Sequence, residues 1–151
     1  MSRRAALPAE VDGRCVFCGI AAGSQPASIV VDEGEALAFT DLQPVHSGHL
    51  LVVPRRHAAD LTELPAETGR AMFSLAHRLA VALRHTDLPC DGVNLFLADG
   101  AAAGQEIWHA HLHVLPRLLG DGLIRISAQW RVRDRPELDD VAGKVRAALR
   151  I

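Results

Sequence analysis

The sequence predicts an α+β domain in which strands run in meanders and a helix packs on one face of the sheet. Three observations lead there. Short apolar runs of strand length alternate with Gly, Pro and Asp turn signals. One longer stretch, from about Pro65 to His85, repeats apolar side chains at helical spacing. The length of 151 residues suits a single core, since a chain of that size hides roughly 70% of its unfolded surface.

Residues 1–13 mix Arg, Ala, Pro and Gly without a period and are expected to form a flexible tail, with one domain over 14–151. Cys15 to Ala22 is expected to be a short helix, ended by Gly23 and the Ser-Gln-Pro stretch. Ser28 to Asp32 and Ala36 to Thr40 flank the Glu33-Gly34 turn and should pair as a hairpin. His49 to Pro54 is an apolar run bounded by Gly48. In the long helix, Pro65 suits the first turn and Glu67 favours the positive end of the dipole. Met72, Ala76, Leu79 and Leu83, with Phe73 and Ala80 beside them, form its apolar stripe.

Two further strands are expected, Gly92 to Ala98 and Ile107 to Leu115, the second stopped by Pro116. Between them Gly100 to Gly104 is a loop of small residues. A short strand near Leu123 to Ile126 and a last helix from near Pro136 complete the order. That helix puts Leu138, Val141, Val145 and Leu149 on one side.

Composition removes several function classes. With 16 basic and 18 acidic residues the net charge is −2, so no global field recruits nucleic acid or an acidic membrane. No apolar run reaches the ~20 residues of a membrane span. The start MSRRAALPAEVDGR lacks an apolar core, so no secretory signal is expected and the cytoplasm is the expected location. Three cysteines are an odd number, which argues against a disulfide framework.

Histidine is the informative excess, with eight in all and three inside five positions. On a strand His109, His111 and His113 would project from one side, with Trp108, Ala110, Leu112 and Val114 turned toward the helix. A solvated face, a metal site and nucleophilic catalysis by one imidazole are the three readings of this ladder. The preceding loop favours phosphorus chemistry, because backbone N–H groups around Gly104 and Gln105 could approach an anion closely. Cys15-x-x-Cys18 alone could be a redox pair or two unrelated thiols, and no βαβ pattern surrounds it.

The run Gly104-Gln105-Glu106-Ile107-Trp108-His109-Ala110-His111-Leu112-His113-Val114-Leu115-Pro116-Arg117 resembles the histidine-triad (HIT) signature. Upstream, Ala38-Phe39-Thr40-Asp41-Leu42 and Gly48-His49-Leu50-Leu51-Val52-Val53-Pro54-Arg55-Arg56-His57 resemble the second block of the same family. The resemblance implies an antiparallel sheet of about five strands with one long helix and a C-terminal helix, and two copies joined in a homodimer.

It also implies a reaction. His111 would attack the α-phosphorus of a nucleotide and form a nucleotidyl-histidine. A nucleoside monophosphate would then leave a phosphoramidate or polyphosphate substrate. His113 and His49 would handle protons and charge, and Asp41 would accept bonds from the ribose. Phe17, Ile20, Phe39 and Leu42 would line the base pocket or belong to the core. Zinc is implied through Cys15, Cys18, His57 and His109, as a structural ion pinning the N-terminal segment. Ala98 stands where the family usually carries Asn or Gln, and Glu106 where smaller hydroxyl residues often contact phosphate. Those two positions motivate a second expectation, a nucleotide-binding protein with little catalysis. A third is a metalloenzyme with the triad itself as ligands.

Overall fold

A computed structural model describes residues 8–124 and 131–149. These fall into two compact units, one up to Leu119 and one from Gly120 onward.

The first unit opens with a two-residue hairpin where a tail was expected. Strands β1 (Glu10–Val11) and β2 (Arg14–Cys15) pair antiparallel. Asp12 and Gly13 between them have φ of 52° and 71°, as a type I′ turn requires. The signal was the Asp-Gly pair, which the irregular composition around it obscured. Helix α1 (Val16–Ala21) follows directly.

Five strands then form one antiparallel sheet. They are β3 (Ile29–Glu33), β4 (Ala36–Thr40), β5 (Leu50–Pro54), β6 (Gly92–Leu97) and β7 (Leu112–Arg117), in the order β3-β4-β5-β7-β6. Alternation sends Ala36, Ala38, Leu50, Val52 and Val114 to one face, against Met72, Leu75, Ala76, Leu79 and Leu83 of helix α2 (Ala66–Leu83). Leu37, Phe39, Leu51 and Val53 take the other face and meet Phe17 and Ile20 of α1. With both faces covered, β4 and β5 read as nearly unbroken apolar runs.

Three expectations change. Phe73 is 59% exposed, because it lies about 100° around the helix from Met72, at the margin of the buried stripe. Pro116 does not stop its strand: β7 runs to Arg117, with Pro116 opposite Val93. The pairing with β5 spans only Leu50–Val52 opposite Leu112–Val114, so a missing N–H at Pro116 breaks no ladder bond on that side. The largest change is at the other end of β7, which begins at Leu112 instead of Ile107. Consequently only His113 of the triad sits on a strand. Trp108 is 49% exposed and does not join the core.

In the second unit, helix α3 (Arg135–Ala148) is capped by Asp134, whose carboxylate accepts the Glu137 N–H at 2.9 Å. Leu123 and Ile124 carry no regular structure. The rest of the strand expected there, residues 125–126, lies outside the described residues, as do residues 1–7 of the expected tail. No helix among the described residues is long and apolar enough to cross a membrane.

Candidate functional site

Because residues 107–111 leave the ladder, their polar groups bond to loops and side chains. The Ala110 N–H donates to the Ala58 carbonyl at 2.7 Å, which brings His57 and His109 side by side. The His109 ring is fully buried, and its Nε2 lies 2.9 Å from the Pro54 carbonyl. A carbonyl only accepts, so Nε2 carries the hydrogen and Nδ1 keeps its lone pair.

That lone pair faces two thiols. Nδ1 of His109 is 3.4 Å from Cys15 Sγ and 3.6 Å from Cys18 Sγ, and Cys18 Sγ is 3.4 Å from His57 Nδ1. All four donor atoms lie within 4.8 Å of one another. A tetrahedral zinc with ordinary bond lengths has S···N edges of about 3.6 Å, so the donor set and spacing fit that ion. Burial, with help from Cys15, pushes the Cys18 thiol up to about 11. Burial also takes His109 down to about 4. These shifts keep Cys18 and His109 uncharged until a cation stabilises the Cys18 thiolate.

His111 is attached to this cluster through its neighbour. Its Nδ1 lies 2.8 Å from the His109 carbonyl, so Nδ1 donates and Nε2 is the nitrogen with the lone pair. Burial lowers the His111 pKa. The bond to His109 and the carboxylates of Asp41 and Glu106 oppose that shift. The ring is therefore neutral near pH 7.

His113 stands opposite Leu51 and Phe96 in the register, and its ring centroid is 5.0 Å from that of His111. Its Nδ1 is 2.8 Å from His49 Nε2. Val45 donates its N–H to His49 Nδ1 at 3.2 Å, which forces the His49 hydrogen onto Nε2 and makes His49 the donor to His113. The His113 hydrogen then sits on Nε2. Asp41 Oδ2 is 3.6 Å from His49 Nε2. Asp41, His49 and His113 bring their donor atoms within 4.8 Å of one another, but a protonated Nε2 makes this a hydrogen-bonded relay instead of a ligand set. Of the triad, only His109 belongs to the Cys/His cluster.

The apolar candidates divide. Phe17 is buried, with ring centroids 5.3 Å from His111, 5.7 Å from His109 and 5.5 Å from Phe39. Phe39 lies in the sheet core and Ile20 packs against it, half-buried. Leu42 is 79% exposed and stands outside that cluster. Asp41 Oδ1 accepts the Gln43 N–H at 2.8 Å, so the residue also shapes its own turn.

The small-residue loop differs from expectation. The Gly104 N–H donates to the Ala101 carbonyl and the Gln105 N–H to the Gly100 carbonyl. Both groups, expected as phosphate donors, already close the turn. Sequence reasoning missed the Gln105 side chain. Its Oε1 accepts the Gly100 N–H at 2.8 Å, and its Nε2 donates to the carbonyls of Ala59 at 2.7 Å and Ile107 at 3.1 Å. A buried amide joining two loops leaves no periodic trace in a sequence. Asp99 accepts the Leu61 N–H, which adds to the same junction.

The chain is similar to several known proteins. Residues 22–118 match the HIT domain family. A HIT-like protein of Mycobacterium tuberculosis is 40% identical over 135 residues, covering 89% of this chain and 92% of its own. Adenosine 5′-monophosphoramidase of Saccharomyces cerevisiae is 34% identical over 110 residues, covering 73% of this chain and 66% of its own. The crystal structure of a zinc-bound histidine triad family protein from Mycobacterium smegmatis is 38% identical with a TM-score of 0.69, covering 89% of this chain and 96% of that one.

Proposed function

The chain belongs to the HIT domain family, and from that premise we propose that it releases a nucleoside monophosphate from a phosphoramidate or polyphosphate through a covalent adduct on His111. The carrying observation is the 2.8 Å contact from His111 Nδ1 to the His109 carbonyl, which leaves Nε2 as a neutral nucleophile. Nε2 attacks the α-phosphorus and a P–N bond forms as the bond to the leaving group breaks. His113 passes its Nε2 proton to the leaving group while its Nδ1 is held by the His49 N–H. Water then attacks phosphorus and returns a proton to His113 Nε2, the P–N bond breaks, and His111 recovers its lone pair as the monophosphate departs.

Phe17 supports the same assignment as a wall for the base, and Asp41 as acceptor for the ribose. Leu42 could reach the base only from outside the buried cluster, and Gly104 and Gln105 shape the loop beside the phosphate. Cys15, Cys18, His57 and His109 would hold the zinc. Bound there, the ion supplies a closed structural cross-link with no open coordination position. A second copy would pair along β6, an outer strand whose Leu95 and Phe96 are exposed.

The test compares the protein with His111→Ala on an adenosine phosphoramidate and a dinucleoside polyphosphate. The parent should cleave at least one and the variant neither. Equal turnover by both would remove His111 from the mechanism. A second function, nucleotide binding with little catalysis, is favoured by Ala98, which is buried and apolar, and by Asp99, whose carboxylate is engaged at Leu61. Tight AMP binding without turnover would select it.

A further inference from the structure

Between Cys15 and Cys18 the chain carries Phe17, and Phe17 touches the nucleophile. We propose that metal occupancy of the Cys15–Cys18–His57–His109 centre controls nucleotide binding at His111, with Phe17 as the positioning residue that couples the two. The proposal rests on the nucleotide function given above and goes beyond a structural cross-link.

Two independent connections run between the sites. One is covalent: His109 offers Nδ1 to the cluster through its ring and holds His111 Nδ1 through its own carbonyl, at 2.8 Å. A shift of the His109 ring on ligation is carried to its backbone and so to His111. The other is packing. The Phe17 ring lies edge-on to both His109 and His111, and Phe17 is 4% exposed. A cross-link from Cys15 and Cys18 to His57 and His109 would fix the chain on both sides of Phe17.

The segment itself is short. Helix α1 has six residues, far below the ~12–15 that an isolated helix needs to persist. Its backbone anchors are the Val16 N–H to the Ala9 carbonyl at 3.0 Å and Arg55 Nη1 to the Ala21 carbonyl at 3.2 Å. With the metal absent, α1 depends on those two bonds and on the packing of Phe17, Val16, Ile20 and Ala21 against the sheet. Releasing Phe17 would uncover one side of His111 and remove the wall proposed for the base.

Coupling of this kind is reciprocal: a nucleotide that orders Phe17 must tighten the metal by the factor that the metal tightens the nucleotide. Zinc affinity of the full chain is measured against a chromophoric chelator, with and without saturating AMP. AMP affinity is measured on the zinc-loaded and metal-free protein. AMP should tighten zinc by about 10-fold, and zinc should tighten AMP equally. Phe17→Leu should still take up one zinc ion, with the mutual effect falling to about twofold or less.

Each other outcome decides. If AMP binds both forms equally, or Phe17→Leu keeps the full effect, the coupling is refuted. If AMP binds neither form, the nucleotide function fails and the coupling falls with it. Far-UV circular dichroism of the metal-free chain should keep the sheet signal. Its loss would overturn the proposal, since the metal would then be holding the whole fold.

Discussion

His49 hands its only ring hydrogen to His113: Nε2 of one lies 2.8 Å from Nδ1 of the other. The Val45 N–H against His49 Nδ1 makes that direction compulsory. Replacing His49 by Ala removes the donor while His111, the cluster and the sheet remain. The turnover number should fall about 10²-fold, with KM for the same substrate changed little. An unaltered turnover number would show that His113 works without the bond from His49.

Acidity should weaken the metal-free protein. Burial sets His109 to about 4 and lowers His111 from the ordinary value of 6.5. Below that value the unfolded chain binds more protons than the folded one, so stability rises with pH. The contribution is complete above about 6.5 and is lost as pH falls through the window toward about 4. Tm of the metal-free chain should drop steadily from pH 7 to pH 5, and a flat profile there would contradict the burial of both rings. Turnover should fall off at lower pH than an ordinary imidazole would set, since burial favours the neutral form of His111.

Gln105→Ala tests the amide junction. The substitution keeps the backbone N–H but strands the Gly100 N–H and leaves the Ala59 and Ile107 carbonyls short of a partner. A loss of about 2–3 kcal/mol is expected, read from the urea midpoint. An unchanged midpoint would mean that water replaces the amide without cost.

Gly48→Ala tests the approach to His49. Gly48 has φ of +89°, and an added Cβ would lie 3.0 Å from Leu83 Cδ2 and 3.1 Å from Leu88 Cδ1. Strain of about 1–3 kcal/mol should lower Tm and displace His49, reducing turnover as well. A variant as stable and active as the parent would show that the loop rearranges freely.

Much of this was legible in the chain itself. The β4 and β5 runs and the buried α2 stripe depend on periodicity and appear where expected, whereas the Cys15, Cys18, His57 and His109 set was implied only by the family resemblance and is brought together by the fold. Phe73 and Pro116 depart from the local rules because the helix face is fixed by the sheet it meets, and a proline is tolerated where the adjacent strand has ended.

The sequence alone determined which groups are available: three alternate imidazoles, two thiols, and a sheet and helix to carry them. Tertiary structure decided their roles. Which nitrogen of each ring holds the hydrogen depends on the Pro54 and His109 carbonyls and the Val45 N–H, all placed by backbone that leaves the regular ladder. Hydrogen bonding across distant segments fixes a tautomer, and no one-dimensional pattern encodes such a partner.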